Sequence, residues 1–294
     1  MIERTTQQGM QHSSLAILQS HLRRLSTLQT QASTGKSFAK PSEDPAGTMD
    51  AMRIRADQRA NAQYQRNIDN GLGWLTTIDT ALSTTSSLLR RARELTVEGA
   101  NTGALGSTSR EALATELEAT ADALRDQSNA TYLGRSVFAG TSDASVAFDD
   151  TGTFQGVAGD GVLRRVAEGT SVRVDSDGAA VFGTGGGSVF ALLQQIAADL
   201  RAGQDVIGHL DAIDQHMDTV GKETASVGAR YNRLEAASES IETQKVALAS
   251  QLTGVEDVDL AETITELKLQ EVAYSASLSA TQRVLQPSLL DFLR

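Results

Sequence analysis

The sequence predicts a mainly α protein, a long antiparallel helical bundle or coiled coil that carries a small inserted β domain. Three observations lead there. Between Val206 and Leu252, fourteen positions step by four and three without a slip, and eleven of them are apolar. That is the repeat of a coiled-coil seam. Hydrophobic residues make up 40% of the 294-residue chain but aromatics only 4%. Large globular cores lean on aromatics for buried area, whereas helices packed side by side do without them. Glycine concentrates between residues 141 and 187, where short alternating runs replace the helical period.

The first helix is expected over 10–34. Leu15, Leu18, Leu22, Leu25, Leu28 and Ala32 recur every three or four positions and form one stripe. Gly35 stands where the residue after a helix belongs. The stretch STGKSFAKPSEDPAG, 33–47, then holds two of the chain's three prolines. Lys40, ahead of Pro41, is driven toward extended backbone. Asp44 suits an N-cap and Pro45 the first helical position, where a missing N–H costs nothing.

A second helix is expected from about 45 to 98, roughly 80 Å at ~1.5 Å per residue. Its stripe is Tyr64, Ile68, Leu72, Leu75, Ile78, Leu82 and Leu89. A third, at 108–129, carries Leu113, Leu117 and Leu124. The insert at 141–187 shows TG at 151–152 and DG at 160–161 and 177–178, with alternating runs at 162–166 and 172–174 between them. These are hairpin signals. Helix returns at Ser188.

The long seam follows: Val206, Leu210, Ile213, Met217, Val220, Thr224, Val227, Tyr231, Leu234, Ser238, Ile241, Lys245, Leu248 and Leu252. A break is expected at Gly254. Glu256, Asp257 and Asp259 read as solvated loop charges that favour the next helix through its dipole. The last helix carries Leu260, Ile264, Leu267, Tyr274, Leu278 and Leu285 and is expected to stop near Pro287.

The chain thus divides into terminal helices (1–43 and 254–294), a helical core (44–140 and 188–253) and the β insert (141–187). A lone amphipathic helix is marginal in water. The terminal helices are therefore expected to be disordered or weakly ordered in an isolated subunit, the first ten residues above all, and to need each other or other subunits. Their candidate assembly residues are Leu15, Leu18, Leu22, Leu25, Leu28, Leu260, Ile264, Leu267, Leu278, Leu285, Leu289 and Leu290. The candidate hinge residues are Gly35, Pro41, Asp44, Pro45 and Gly254.

Signals for chemistry are weak. A formal net charge of −11 argues against nucleic acid and against a polybasic membrane anchor. With no cysteine there is no disulfide, thiolate chemistry or cysteine-ligated zinc. The N-terminus MIERTTQQGMQHSS lacks an apolar signal core, and no stretch approaches the ~20 apolar residues of a membrane span. Read alone, that points to the cytoplasm. His209 and His216 are seven apart, not the four that a helical metal pair needs, so the histidines are expected to face solvent. GTGGGS at 183–188 lacks the lysine of a phosphate loop and reads as a flexible loop. DSDG at 175–178 lacks a downstream glutamate ligand and reads as a hairpin turn. Asn129-Ala130-Thr131 is a formal glycosylation sequon. No nucleophile–base pair emerges, so no enzyme, cofactor or metal is expected.

Four segments together resemble the flagellin family: STGKSFAKPSEDPAG (33–47), LLRRARELTVEGANTG (88–103), VGARYNRLE (227–235) and EDVDLAETITELKLQEVAYSASLSATQRVLQPSLLDFLR (256–294). The resemblance spans residues 1–140 and 188–294. MIERTTQQGM is more polar than is usual there. Within the family, the Pro41–Pro45 form of the turn is similar to the hook–filament junction branch. So are NATYLGRSVFAGTSD (129–143), the single small insert and SLLDFL (288–293). The resemblance implies an extracellular structural subunit of the bacterial flagellum, exported unfolded without a cleaved signal. It implies a ring of copies between hook-associated protein 1 and the first flagellin layer, and a cytoplasmic export chaperone, with no nucleic-acid partner and no membrane insertion. Filament flagellin itself and a cytoplasmic coiled-coil adaptor stay open as alternatives.

Overall fold

A computed structural model describes the backbone of residues 2–101, 106–159 and 161–292, with side chains described at position 9 and from 12 to 282. Within these bounds, seven α-helices run in the order α1 (Ile2–Thr34), α2 (Pro45–Ala100), α3 (Ser107–Ser128), α4 (Gly178–Phe182), α5 (Val189–Ala202), α6 (Leu210–Glu256) and α7 (Leu260–Phe292). Strands β1 (Thr131–Tyr132) with β2 (Arg135–Ser136), and β3 (Leu163–Ala167) with β4 (Thr170–Arg173), form two small antiparallel pairs. The chain divides into two compact units. Residues 1–59 with 245–294 make unit 1, and residues 60–244 make unit 2.

Unit 2 holds most of the core. Along the seam Val206, Ile213, Val220, Val227, Leu234 and Ile241 are all buried, one every seventh residue. From α2, Ile68, Leu75, Leu82 and Leu89 repeat the same spacing and are equally buried. Two facing sevens are the geometry of paired helices. Helix α3 packs on α5 through Leu113, Leu117 and Leu124 and through Leu193, Ile196 and Leu200, all buried.

The hairpin expected from the alternating runs is present. Leu163 pairs with Arg173 and Arg164 with Val172, and the tip is Gly169 at φ 71°. The TG pair also turns the chain, with Gly152 at φ 75° between bridged Phe148 and Phe154. The insert is organised less by strands than by rings. Phe138, Phe148, Phe154, Phe182 and Phe190 form one cluster with centroids 5.2–6.0 Å apart. Asn129 fastens it: its Nδ2 donates to the Phe148 carbonyl (2.8 Å), and its Oδ1 accepts from the amides of Ala147 and Phe148 (2.8 and 2.9 Å). The sequon amide thus holds the fold through both its oxygen and its nitrogen.

DSDG is not the expected hairpin turn. Asp175 is buried and accepts from the Val162 amide (2.7 Å) and from Arg173 (2.9 Å). Asp177 caps α4 through the amides of Ala179 and Ala180. GTGGGS is likewise ordered, as a 3-10 turn leading to Ser188, whose hydroxyl caps α5. The histidine expectation also fails at three positions. His209 is bonded to Asp199 (2.8 Å) and His21 to Gln270 (2.7 Å). His216 is half-buried, and burial pushes its pKa below the ordinary value.

Two glycine details fix local geometry. A Cβ on Gly73 would lie 2.3 Å from the Tyr132 hydroxyl, so any larger residue there would have to displace that ring. Tyr132 in turn rests on Trp74, centroids 6.1 Å apart. By contrast, the β1–β2 turn places Leu133 at φ 50° with its side chain 79% exposed. Left-handed backbone costs an ordinary side chain ~1 kcal/mol or more, and asparagine tolerates it best. Leu133→Asn is therefore expected to stabilise unit 2 by about 1 kcal/mol. Urea unfolding followed by circular dichroism would check this.

Candidate functional site

The site is the terminal helix pair of unit 1 and the joint at its base. The joint follows from local chemistry. Helix α1 ends at Thr34, and Gly35 takes φ 71° with its amide bonded to the Gln31 carbonyl (2.8 Å). Asp44 caps α2 by accepting from the Gly47 amide (2.9 Å), and Pro45 is the first helical residue. Pro41 departs from the expected extended path. It sits second in a hydrogen-bonded turn, Lys40–Glu43, closed by the Glu43 amide on the Lys40 carbonyl (3.0 Å). Proline's fixed φ suits that position. The Glu43 carboxylate folds back onto the amides of Ala39 and Lys40 (2.8 and 3.3 Å).

On the returning chain the break lies beyond Gly254. Helix α6 runs through that residue to Glu256, and the gap is Asp257–Asp259. A glycine costs a helix ~1 kcal/mol without ending it. Here Asp259 starts the next helix, accepting from the amides of Ala261 and Glu262 (2.8 and 3.2 Å). Pro287 likewise does not stop α7, which continues to Phe292. Proline's φ is itself helical, and what it removes is one N–H donor.

The two halves of the joint are stitched together. The Ser37 amide donates to the Glu256 carbonyl (2.6 Å) and the Val258 amide to the Gly35 carbonyl (3.0 Å). Lys36 Nζ lies 2.6 Å from Asp257 and 3.2 Å from Glu256. Glu256 is buried, not a solvated loop charge, and Arg55 also reaches it at 2.7 Å.

From this base α1 and α7 run antiparallel. Arg24 meets Glu266 (2.6 Å), and Gln270 Nε2 meets His21 Nδ1 (2.7 Å). The sheltered positions step by four and three on both helices. On α1 they are Ser14, Leu18, His21, Leu25, Leu28 and Ala32. On α7 they are Thr263, Leu267, Gln270, Tyr274, Ser277 and Thr281. Four of those six on α7 are polar. Its apolar stripe is divided: Leu267 and Tyr274 lie in this seam, whereas Leu260, Ile264 and Leu278 are 48, 50 and 41% exposed. Leu15 and Leu22 of α1 are exposed too, and Leu28 alone of the candidate assembly residues, among the described side chains, is fully buried. The side chains of Leu285, Leu289 and Leu290 lie outside the described residues. Sequence reading missed Ile17, Leu269, Val272, Met49 and Met52, all exposed in unit 1. Their signal was plain hydrophobicity, away from the stripe that was followed.

Electrostatics make the joint acid-sensitive. The ammonium of Lys36 holds Asp257 below the ordinary 3.8. The Ala39 and Lys40 amides hold Glu43 below 4.5. A depressed carboxyl contributes stability above its unfolded value and loses it as pH falls through the folded one. The Ser37 and Val258 amide resonances should thus stay constant from neutral pH down to about 5 and shift below about 4. An NMR titration would check this.

Among the described residues, no group of three or more His, Asp or Glu is placed to hold a metal. No helix among them is long and apolar enough to cross a membrane.

The model of the bacterial flagellin N-terminal helical region matches residues 6–143, and that of the C-terminal helical region matches 210–293. The chain belongs to the flagellin family. The two matches hold α1, the joint, α6 and α7, so the family's helical regions are the ones that build this site. Flagellar hook-associated protein 3 of Escherichia coli is 25% identical over 277 residues, covering 85% of this chain and 87% of that one. A flagellin of Bacillus subtilis is 26% identical over 261 residues, covering 83 and 84%. Among solved structures, Bacillus cereus FlgL shares the fold with a TM-score of 0.60 at 23% identity, over 68% of this chain and 99% of that one. As a flagellin-family protein the chain is a structural component of the bacterial flagellum, and its contacts are with other flagellar components.

Proposed function

We propose that this flagellin-family chain is the adapter subunit that joins the hook-associated protein 1 layer to the first layer of flagellin. The observation that carries the reading is the misdirected stripe. Helix α7 turns a polar seam to its partner α1 and an apolar ridge to solvent. A row of exposed apolar residues along one helix is the kind of surface that a partner covers. In a ring of copies, neighbouring subunits would cover them. The likeness to hook-associated protein 3 over most of both chains supports the junction position. A terminal pair held by a polar seam also suits a subunit that unfolds for export through a narrow channel, without a cleaved signal and with a chaperone covering the ridge beforehand.

The test compares the full chain with one lacking residues 260–294, each added to purified hooks capped with hook-associated protein 1. The full chain should bind and then accept flagellin. The truncated chain should keep unit 2 folded and fail to bind. Binding by the truncated chain would overturn the reading. Filament flagellin is the second reading, favoured by the B. subtilis likeness. It requires long fibres from the purified chain after seeding.

A further inference from the structure

We propose that Glu256 is the positioning residue of the joint, the side chain whose charge fixes how the proline turn, α2 and the end of α6 meet. Its carboxylate is 3% exposed, although it lies at a helix end beside two more acids. It ties two separate parts of the chain to the end of α6. Lys36 Nζ of the proline turn lies 3.2 Å from Oε2. Arg55 Nη2 of α2 lies 2.7 Å from Oε1 and donates to Oε2 at 2.9 Å. The backbone carbonyl of Glu256 receives the Ser37 amide at 2.6 Å. The charged groups around the carboxylate are Lys36, Arg55 and Asp257, the last drawn to the same Lys36.

A buried carboxylate is costly to desolvate, and apolar residues of similar volume often stabilise as well or better. What a charge supplies that an apolar side chain does not is direction. Here the two cations approach from different elements and are themselves half-exposed, with 43 and 55% of each side chain open to solvent. Without Glu256, Arg55 can return to water and Lys36 keeps only its exposed contact with Asp257, so the joint is freer to open while the helices stay formed. The two backbone bonds of the joint, Ser37 to Glu256 and Val258 to Gly35, are the only backbone ties across it among the described residues. They are held in register by this charge. The inference rests on the assembly reading for its consequence, since an open joint would misplace α1 and α7, but its readout does not depend on assembly.

The experiment measures amide hydrogen exchange at Ser37 and Val258 by NMR in the full chain and in two variants, Glu256→Gln and Glu256→Leu, at low and at 1 M salt. In both variants exchange at the two amides should rise at least tenfold, while core amides such as Leu82 and Leu193 stay as in the parent. In the parent, 1 M salt should speed the same two amides, because it shortens the screening length to ~3 Å. In the variants the salt effect should be smaller, because only the Lys36–Asp257 pair is left to screen. Unchanged exchange in Glu256→Gln overturns the proposal. Parent-like protection in Glu256→Leu also overturns it, because packing and not charge would then hold the joint. Hook binding by the same variants reports on the assembly reading separately: freed amides with undiminished binding would count against that reading and leave the positioning role standing.

Discussion

Truncating Phe148 to alanine is expected to cost unit 2 about 3–5 kcal/mol, the largest loss of any single side chain in the insert. Its ring is 1% exposed and lies within 5.2–5.8 Å, centroid to centroid, of Phe154, Phe182 and Phe190. The cost is high because the site cannot collapse. Asn129 pins the backbone of Phe148 itself, and Phe182 and Phe190 sit on helices capped by Asp177 and Ser188. Phe154, half-exposed at the edge of the cluster, should cost much less when truncated, about 1–2 kcal/mol. Urea unfolding followed by the fluorescence of Trp74, the single tryptophan, reads both variants. Equal losses at the two positions would show that the cluster is not the rigid centre of the insert.

That cluster also shows where sequence reading reached its limit. The seam from Val206 to Ile241 was legible because a period of seven is local: each residue's burial follows from its neighbours three and four away. The β3–β4 hairpin was legible for the same reason. The phenylalanines are far apart in sequence and have no common period, and the amide that fastens Phe148 lies nineteen residues upstream. Asp175 reads as turn chemistry until Arg173 and the Val162 amide are seen around it. Nothing local distinguishes a carboxylate that ends a hairpin from one that is buried beneath it. The stop signals failed more simply. Gly254 and Pro287 weaken a helix by a finite amount, and α6 and α7 run through them.

At the terminal pair the periodicity was correct and the direction only partly so: Leu18, Leu25, Leu28, Leu267 and Tyr274 lie in the seam, and the rest of the described stripe does not. Leu260, Ile264 and Leu278 do share one face of α7, as their spacing required. Spacing gives the angle between residues on a helix; it does not give the bearing of the partner. The partner lies instead over Thr263, Gln270, Ser277 and Thr281, small or polar residues that a search for apolar stripes passes over. The His21–Gln270 contact is a polar layer in that seam. Such layers set register at a cost in stability. The pair is thus ordered enough to have one alignment while leaving its most apolar surface uncovered. Glu256 escaped notice for a related reason: in sequence it is one of three acids in a loop, and only its place at the meeting of the proline turn, α2 and α6 buries it.

The second large effect is expected on that uncovered surface. In Ile264→Asp with Leu278→Asp, the isolated subunit should keep most of its helix content and its stability to within about 1–2 kcal/mol, because both side chains are already half-exposed. Binding to capped hooks should fall at least a hundredfold. Each aspartate replaces an apolar group whose burial is worth ~1.5–3 kcal/mol, and it must be desolvated besides. Leu28→Asp provides the opposite contrast. Leu28 is 3% exposed within the pair, so this variant should unravel α1 from α7 in the isolated subunit before any partner arrives. Circular dichroism separates the two cases, and sedimentation with hooks reads the consequence. A ridge variant that binds like the parent would move the assembly surface elsewhere, with the exposed Leu269 and Val272 next in line, since they lie around α7 from Ile264 and are the most exposed apolar residues among that helix's described side chains. A Leu28 variant that stays paired would mean that the polar seam alone holds the two helices together. The two outcomes are read separately, because Leu28 is buried within the pair while Ile264 and Leu278 are half-exposed.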